Sequence, residues 1–149
     1  MRMLKMAHTV YRTQYHVVWV TRYRRKILCK GVDEYLRQIL QSIGKYFPDL
    51  YITEIGMDQD HIHLRVIIPP KYAVSRIVDA IKTNTSRIIR KRFSGMLGKV
   101  YWDNGGIWGT GFYVSTVGGD EAVIREYVRQ QGRHDEEQRE ELKKEIPRP

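Results

Sequence analysis

The sequence predicts an α+β domain, an antiparallel sheet with helices packed on one face. Two patterns in its 149 residues carry that reading. Short runs rich in β-branched and aromatic residues alternate with longer runs whose apolar residues recur every three to four positions. In addition, 42% of the residues are hydrophobic against a single cysteine, Cys29. The fold must therefore rest on a core rather than on a disulfide framework or a cysteine-rich zinc module.

Residues 13–21, Thr-Gln-Tyr-His-Val-Val-Trp-Val-Thr, read as a strand. Arg22 to Lys26 follow as a basic loop. Val32, Tyr35, Leu36, Ile39, Leu40, Ile43 and Phe47 keep helical spacing until Pro48 stops it. Residues 51–57 and 61–68 read as a hairpin joined at Asp58-Gln59. A second amphipathic helix spans about 73–93, with Val74, Ile77, Val78, Ile81, Ile88 and Ile89 as its apolar stripe. Residues 95–111, rich in glycine and tryptophan, read as an irregular loop. Phe112 to Val117 form a strand, and Asp120 is placed to N-cap a last helix over 121–131. The order β–α–β–β–α–β–α is the split βαβ pattern of ferredoxin-like and RRM-like sandwiches. One sheet face is then expected to be free.

The chain carries 26 Lys+Arg against 17 Asp+Glu, a net charge of +9. Residues 120–149 hold 9 acids and 7 bases, net −2. The remaining 8 acids and 19 bases put +11 on residues 1–119. Such a body attracts polyanions and displaces counterions from a phosphate backbone; a protein that is merely basic would look the same. No apolar run approaches the roughly 20 residues of a membrane span. Residues 1–8 lack the apolar stretch of a secretory signal, so the expected location is cytoplasmic.

The strongest local signal is Asp60-His61-Ile62-His63-Leu64-Arg65. Strand alternation puts His61, His63 and Arg65 on one face and Ile62 and Leu64 on the other. Two imidazoles at i and i+2 can reach one divalent ion, or can be a pair of surface histidines. With Asp58-Gln59 as a two-residue turn, Glu54 falls opposite His63. It could then hydrogen-bond a metal-ligating histidine, or form a charge pair with Arg65. On the last helix Tyr127 and Gln131 share a face at i and i+4. Tyr127 fits a nucleophile beside a metal, and equally a core tyrosine. Arg22, Tyr23, Arg24, Arg25 and Lys26 combine cations with a ring, the chemistry of single-stranded nucleic-acid binding, or form a solvated loop. Arg87, Arg90 and Lys91 carry the same two readings. Cys29 lacks a paired histidine, and His8, His16 and His134 carry no spacing signal.

Four motifs occur in order: residues 15–26, Tyr-His-Val-Val-Trp-Val-Thr-Arg-Tyr-Arg-Arg-Lys; Asp60 to Leu64; Gly111 to Gly118; and Tyr127-Val-Arg-Gln-Gln131. Together they strongly resemble the single-tyrosine HUH transposases of the IS-two-hundred/IS-six-hundred-and-five insertion sequences. The resemblance covers about residues 10–132, so a transposase domain is expected over 1–132 and a charged tail or helix extension over 133–149.

The resemblance implies a DNA transposase that cuts and rejoins single-stranded DNA at hairpin-bearing transposon ends through a 5′-phosphotyrosine. It implies His61, His63 and Gln131 as ligands of Mg²⁺ or Mn²⁺, Tyr127 as the nucleophile, and a homodimer whose active sites can be shared between subunits. The alternatives are an HUH nickase of replication or conjugation, usually a longer chain, and a non-catalytic RRM-like RNA-binding module. The latter needs aromatics where residues 61–65 present His, His and Arg.

Overall fold

The computed structural model describes residues 4–6, 9–11, 13–103, 105–116, 121–131 and 133. Two short strands, β1 (Leu4–Met6) and β2 (Thr9–Tyr11), pair with each other in a sheet that the sequence pattern did not signal. The main sheet holds β3 (Gln14–Val20), β4 (Tyr51–Met57), β5 (His61–Ile67) and β6 (Tyr113–Ser115). Its order is β4-β5-β3-β6 and every pairing is antiparallel. Helices α1 (Val32–Gln41) and α2 (Val74–Arg92) supply the two crossovers, so the expected split βαβ architecture is present.

Alternation on β3 divides the molecule into two packed layers. Val17 and Trp19 face α1 and α2, where they meet Ile62, Leu64 and Val66 of β5 in one buried cluster. Helix α1 contributes Val32, Leu36 and Leu40 to it, and α2 contributes Ile77, Val78, Ile81 and Ile89. Trp19 and Trp108 meet edge to face at 5.7 Å in its centre, a geometry that suits the aromatic quadrupoles.

The opposite sheet face is not free. Val18 and Val20 are buried there against Ile124 and Val128 of a helix at residues 121–131, here α4, with Tyr113 and Tyr127 at the margin. The reason lies on β3, whose even positions at this end are valines rather than polar residues, so both of its faces need cover.

Two local expectations are corrected. Residues 95–111 are not all loop: Ser94–Val100 form a short helix, α3, that buries Leu97. Gly95 and Gly98 mask it in the sequence, because glycine weakens helix propensity. The β4–β5 turn is also displaced: the Asp58 N–H donates to the His61 carbonyl at 2.9 Å, so the two turn residues are Gln59-Asp60 rather than Asp58-Gln59. Met57 pairs with Ile62, Gly56 with His63 and Glu54 with Arg65, and the ladder is irregular between Ile52 and Glu54. Asp60 sits in that turn, and its carbonyl accepts from the Thr21 N–H at 2.9 Å and from the Thr21 hydroxyl at 3.2 Å, next to the Val20–His61 pair of β3 and β5. The proposed cap Asp120, Val117 and the tail beyond Arg133 lie outside the described residues.

Burial of Val128 against Val18 and Val20 is what seats α4. We expect Val128→Asp, which puts a charge into that small cluster, to speed amide hydrogen exchange across residues 121–131 while β3 and β5 stay protected. Equal protection of α4 in the variant would show that another contact holds it.

Candidate active site

β5 presents His61 and His63 to the face that α4 covers, and across the ladder they lie opposite Val20 and Val18. Their ring centroids are 4.9 Å apart. His61 Nδ1–H donates to Asp60 Oδ1 at 2.8 Å, and Arg24 Nε donates to Asp60 Oδ2 at 3.0 Å. The hydrogen bond from His61, reinforced by Arg24, holds the Asp60 carboxyl below its ordinary range. That bond sets the tautomer of His61 and leaves Nε2 with its lone pair outward. His16, half-buried on β3, stacks on His63 with centroids 5.6 Å apart. Burial lowers the pKa of His16, and Arg65 adds to it. Burial lowers that of His63 further, to about 4, with the neighbouring His61 and His16 adding to the effect. A neutral imidazole is the form that binds a metal.

The cavity at these histidines has a volume of about 700 Å³. Arg24 and Lys26 line one side, and Glu121, Ile124, Arg125, Val128 and Arg129 of α4 line another. Tyr127 is not among its lining residues. Its ring packs instead at 6.1 Å from that of Tyr113 on β6. Gln131 donates Nε2–H to the Thr110 carbonyl at 2.7 Å, which ties the end of α4 to the glycine-rich loop. The structure thus brings His61 and His63 together, packs Tyr127 against the valine cluster of the same sheet face, and ties Gln131 to Thr110.

Glu54 pairs with Arg65 at 2.9 Å, a consequence of the register it occupies. The carboxylate that does orient a histidine is Asp60. Its signal was in the sequence, as the residue preceding the His-x-His pair, but its direction depends on where the turn falls. The basic loop is a 3-10 turn, Arg22–Arg24, with Tyr23 and Arg24 at positive φ. Arg22 is directed inward, paired with Asp103 and lying 4.9 Å over the Tyr101 ring. Tyr23 packs against the core beside Tyr101. Arg25 is half-buried and Lys26 exposed. On α2, Arg87 and Lys91 are exposed, whereas Arg90 donates to the carbonyls of Tyr101, Asp103 and Gly105.

Among the described residues no cluster of three or more His, Cys, Asp or Glu is arranged to hold a metal ion, and no helix is long and apolar enough to cross a membrane.

The model of the IS200-like transposases matches residues 9–131, and the chain belongs to that family. The transposase for insertion sequence element IS200 of Salmonella typhimurium is 31% identical over 126 residues, 85% of this chain and 81% of that protein. The ISDra2 transposase TnpA of Deinococcus radiodurans is 28% identical over 129 residues, 86% of this chain and 89% of that protein. A crystal structure of a Deinococcus radiodurans R1 transposase is similar in fold, with a TM-score of 0.77 at 28% identity. It covers 87% of this chain, and this chain covers 98% of it.

Because His63 favours its neutral form in the fold, its ring is expected to titrate near 4 by NMR, against an ordinary value of 6.5. Below 6.5 the unfolded chain takes up the proton more readily. This contribution to stability is therefore full above about 6.5 and is lost as pH falls towards 4. A His63 ring titrating at its ordinary value would contradict the burial described.

Proposed function

We propose that this transposase cuts and rejoins single-stranded DNA at hairpin-bearing transposon ends through a metal-dependent 5′-phosphotyrosine on Tyr127. The observation that carries the reading is the His61–His63 pair, one member oriented by Asp60 and the other kept neutral by burial, in a cavity rimmed by cations. These side chains fit a divalent ion, Mg²⁺ or Mn²⁺. His61 and His63 would supply imidazole nitrogens, and Gln131, whose Nε2 is used on Thr110, keeps Oε1 as an acceptor. A bound ion supplies charge neutralisation at the scissile phosphate.

The remaining chemistry belongs to this chain's side chains. Arg24 and Lys26 draw the DNA backbone to the histidines. Tyr127 attacks phosphorus, an O–P bond forms, and the bond to the 3′ oxygen breaks. The phenolic proton, ordinarily held to a pH of about 10, is lost as the leaving strand gains one and ends as a 3′-OH. One phosphodiester replaces another, so a second 3′-OH can reverse the step on a new strand without ATP.

We further propose a homodimer in which the His pair of one copy works with Tyr127 of the other. Tyr127 lies outside the lining of its own histidine cavity, which supports this reading. So does β6, an edge strand with exposed Val114, close in sequence to exposed Val123 of α4.

Incubation with hairpin-bearing single-stranded DNA and Mn²⁺ or Mg²⁺ should give a covalent protein–DNA band on a denaturing gel. EDTA and Tyr127→Phe should each abolish it, and an adduct surviving in Tyr127→Phe would rule out this nucleophile. Asp60→Asn should weaken Mn²⁺ binding by about 10- to 100-fold, measured by calorimetry. For the shared site, mixed dimers of His61→Ala and Tyr127→Phe subunits should regain adduct formation that neither variant has alone.

A further inference from the structure

The basic segment after β3 does more than carry charge. Residues 21–28 run beside the Gln59-Asp60 turn and hold it at several points. The Thr21 N–H donates to the Asp60 carbonyl at 2.9 Å, and the Leu28 N–H donates to the Gln59 carbonyl at 3.0 Å. Arg24 Nε donates to Asp60 Oδ2 at 3.0 Å. Both carbonyls of the turn and one carboxylate oxygen of Asp60 are thus fixed by the same segment. The other carboxylate oxygen, Oδ1, is left to His61 Nδ1–H.

Thr21 is the centre of this brace and is 0% exposed. Its hydroxyl has one proton to give, and it lies 2.7 Å from the Arg25 carbonyl and 3.2 Å from the Asp60 carbonyl. The shorter leg closes the Arg22–Arg24 turn, in which Tyr23 and Arg24 hold φ of 59° and 51°. A left-handed backbone is costly for residues with a Cβ and persists only where the surroundings over-determine it. Here the Arg24 N–H donates to the Thr21 carbonyl at 2.9 Å, and the Tyr23 ring packs against the core. The strained turn swings the chain off the line of β3, so that the Arg24 side chain returns to Asp60. A valine at position 21 would extend the apolar run of residues 17–20 at nearly the same volume and remove the proton that ties the two turns together.

We propose that Thr21 is a positioning residue for the histidine pair: through Asp60 it keeps His61 in the tautomer that carries its proton on Nδ1 and leaves the Nε2 lone pair for a metal ion. The inference rests on the metal reading above and adds what holds that ligand ready.

Nitrogen-15 NMR of the metal-free protein, under mildly alkaline conditions where imidazoles are neutral, reads the tautomer directly. Wild-type His61 should show a protonated Nδ1 and an unprotonated Nε2. In Thr21→Val the two nitrogens should move towards a common averaged shift, and Thr21→Ser, which keeps the hydroxyl, should restore the wild-type pattern. By calorimetry Thr21→Val should weaken Mn²⁺ binding by up to about tenfold, less than Asp60→Asn does. With Asp60→Asn already in place, Thr21→Val should weaken it no further, because the two act through one chain of contacts. Arg24→Met tests the brace from its other end, on a side chain 39% exposed, and should shift the tautomer in the same direction.

A folded Thr21→Val protein with a lower melting temperature but the wild-type His61 tautomer would make the hydroxyl merely structural and overturn the proposal. Additive losses of Mn²⁺ affinity in the double variant would do the same. Should Thr21→Val not fold, an unchanged tautomer in Arg24→Met would overturn it. A wild type that forms the DNA adduct while its His61 tautomers are averaged would sink the positioning role alone. A wild type with one fixed tautomer and no Mn²⁺ binding would sink the metal reading and leave the brace standing, because the tautomer is read without metal or DNA.

Discussion

The antiparallel pairing of β3 with β5, Val20 against His61 and Val18 against His63, decides what every other part of the molecule does. It puts Val17 and Trp19 of one strand beside Ile62 and Leu64 of the other, which makes the face that α1 and α2 cover. By the same alternation it puts two histidines beside two buried valines on the second face. A one-residue slip would exchange the faces, burying imidazoles in the main core and exposing Trp19. The cost of such an exchange is what protects the geometry of the site.

The second face combines two tasks that usually compete. Valines and α4 exclude water, and that exclusion keeps His63 neutral. Polar groups at its edge, Asp60, Arg24 and Lys26, keep the same cavity oriented and positively charged. The α4 helix is attached by a small cluster, Ile124 and Val128, and by the Gln131–Thr110 bond at its end. A helix with so little buried surface belongs to the lower end of a protein's local stabilities, which suits one that carries the nucleophile we propose.

Basic residues that look alike in the sequence do different work in the fold. Arg22 and Arg90 are structural, tying the 101–105 segment to the sheet and to α2. Arg24 is shared between an ion pair and the cavity rim. Arg87 and Lys91 are exposed on α2. A guanidinium satisfies carbonyls and carboxylates of its own chain as readily as phosphates, so charge alone does not separate these roles.

The sequence by itself determined the strands of the main sheet and the two long helices between them, the split βαβ topology, the two faces of β5, and the His-x-His pair. Each of these is written in a local period of two or 3.6 residues, and local periods survive without knowledge of distant partners. Tertiary structure alone decided the register of β4, and with it that Glu54 meets Arg65 while Asp60 holds His61. It also decided that α4 closes the second face, that α3 forms despite two glycines, and that Tyr23 packs inward. The physical reason is the same in each case: these outcomes turn on hydrogen bonds and burial between residues tens of positions apart, such as Thr21 with Asp60 and Arg90 with Tyr101. No local pattern records such pairings.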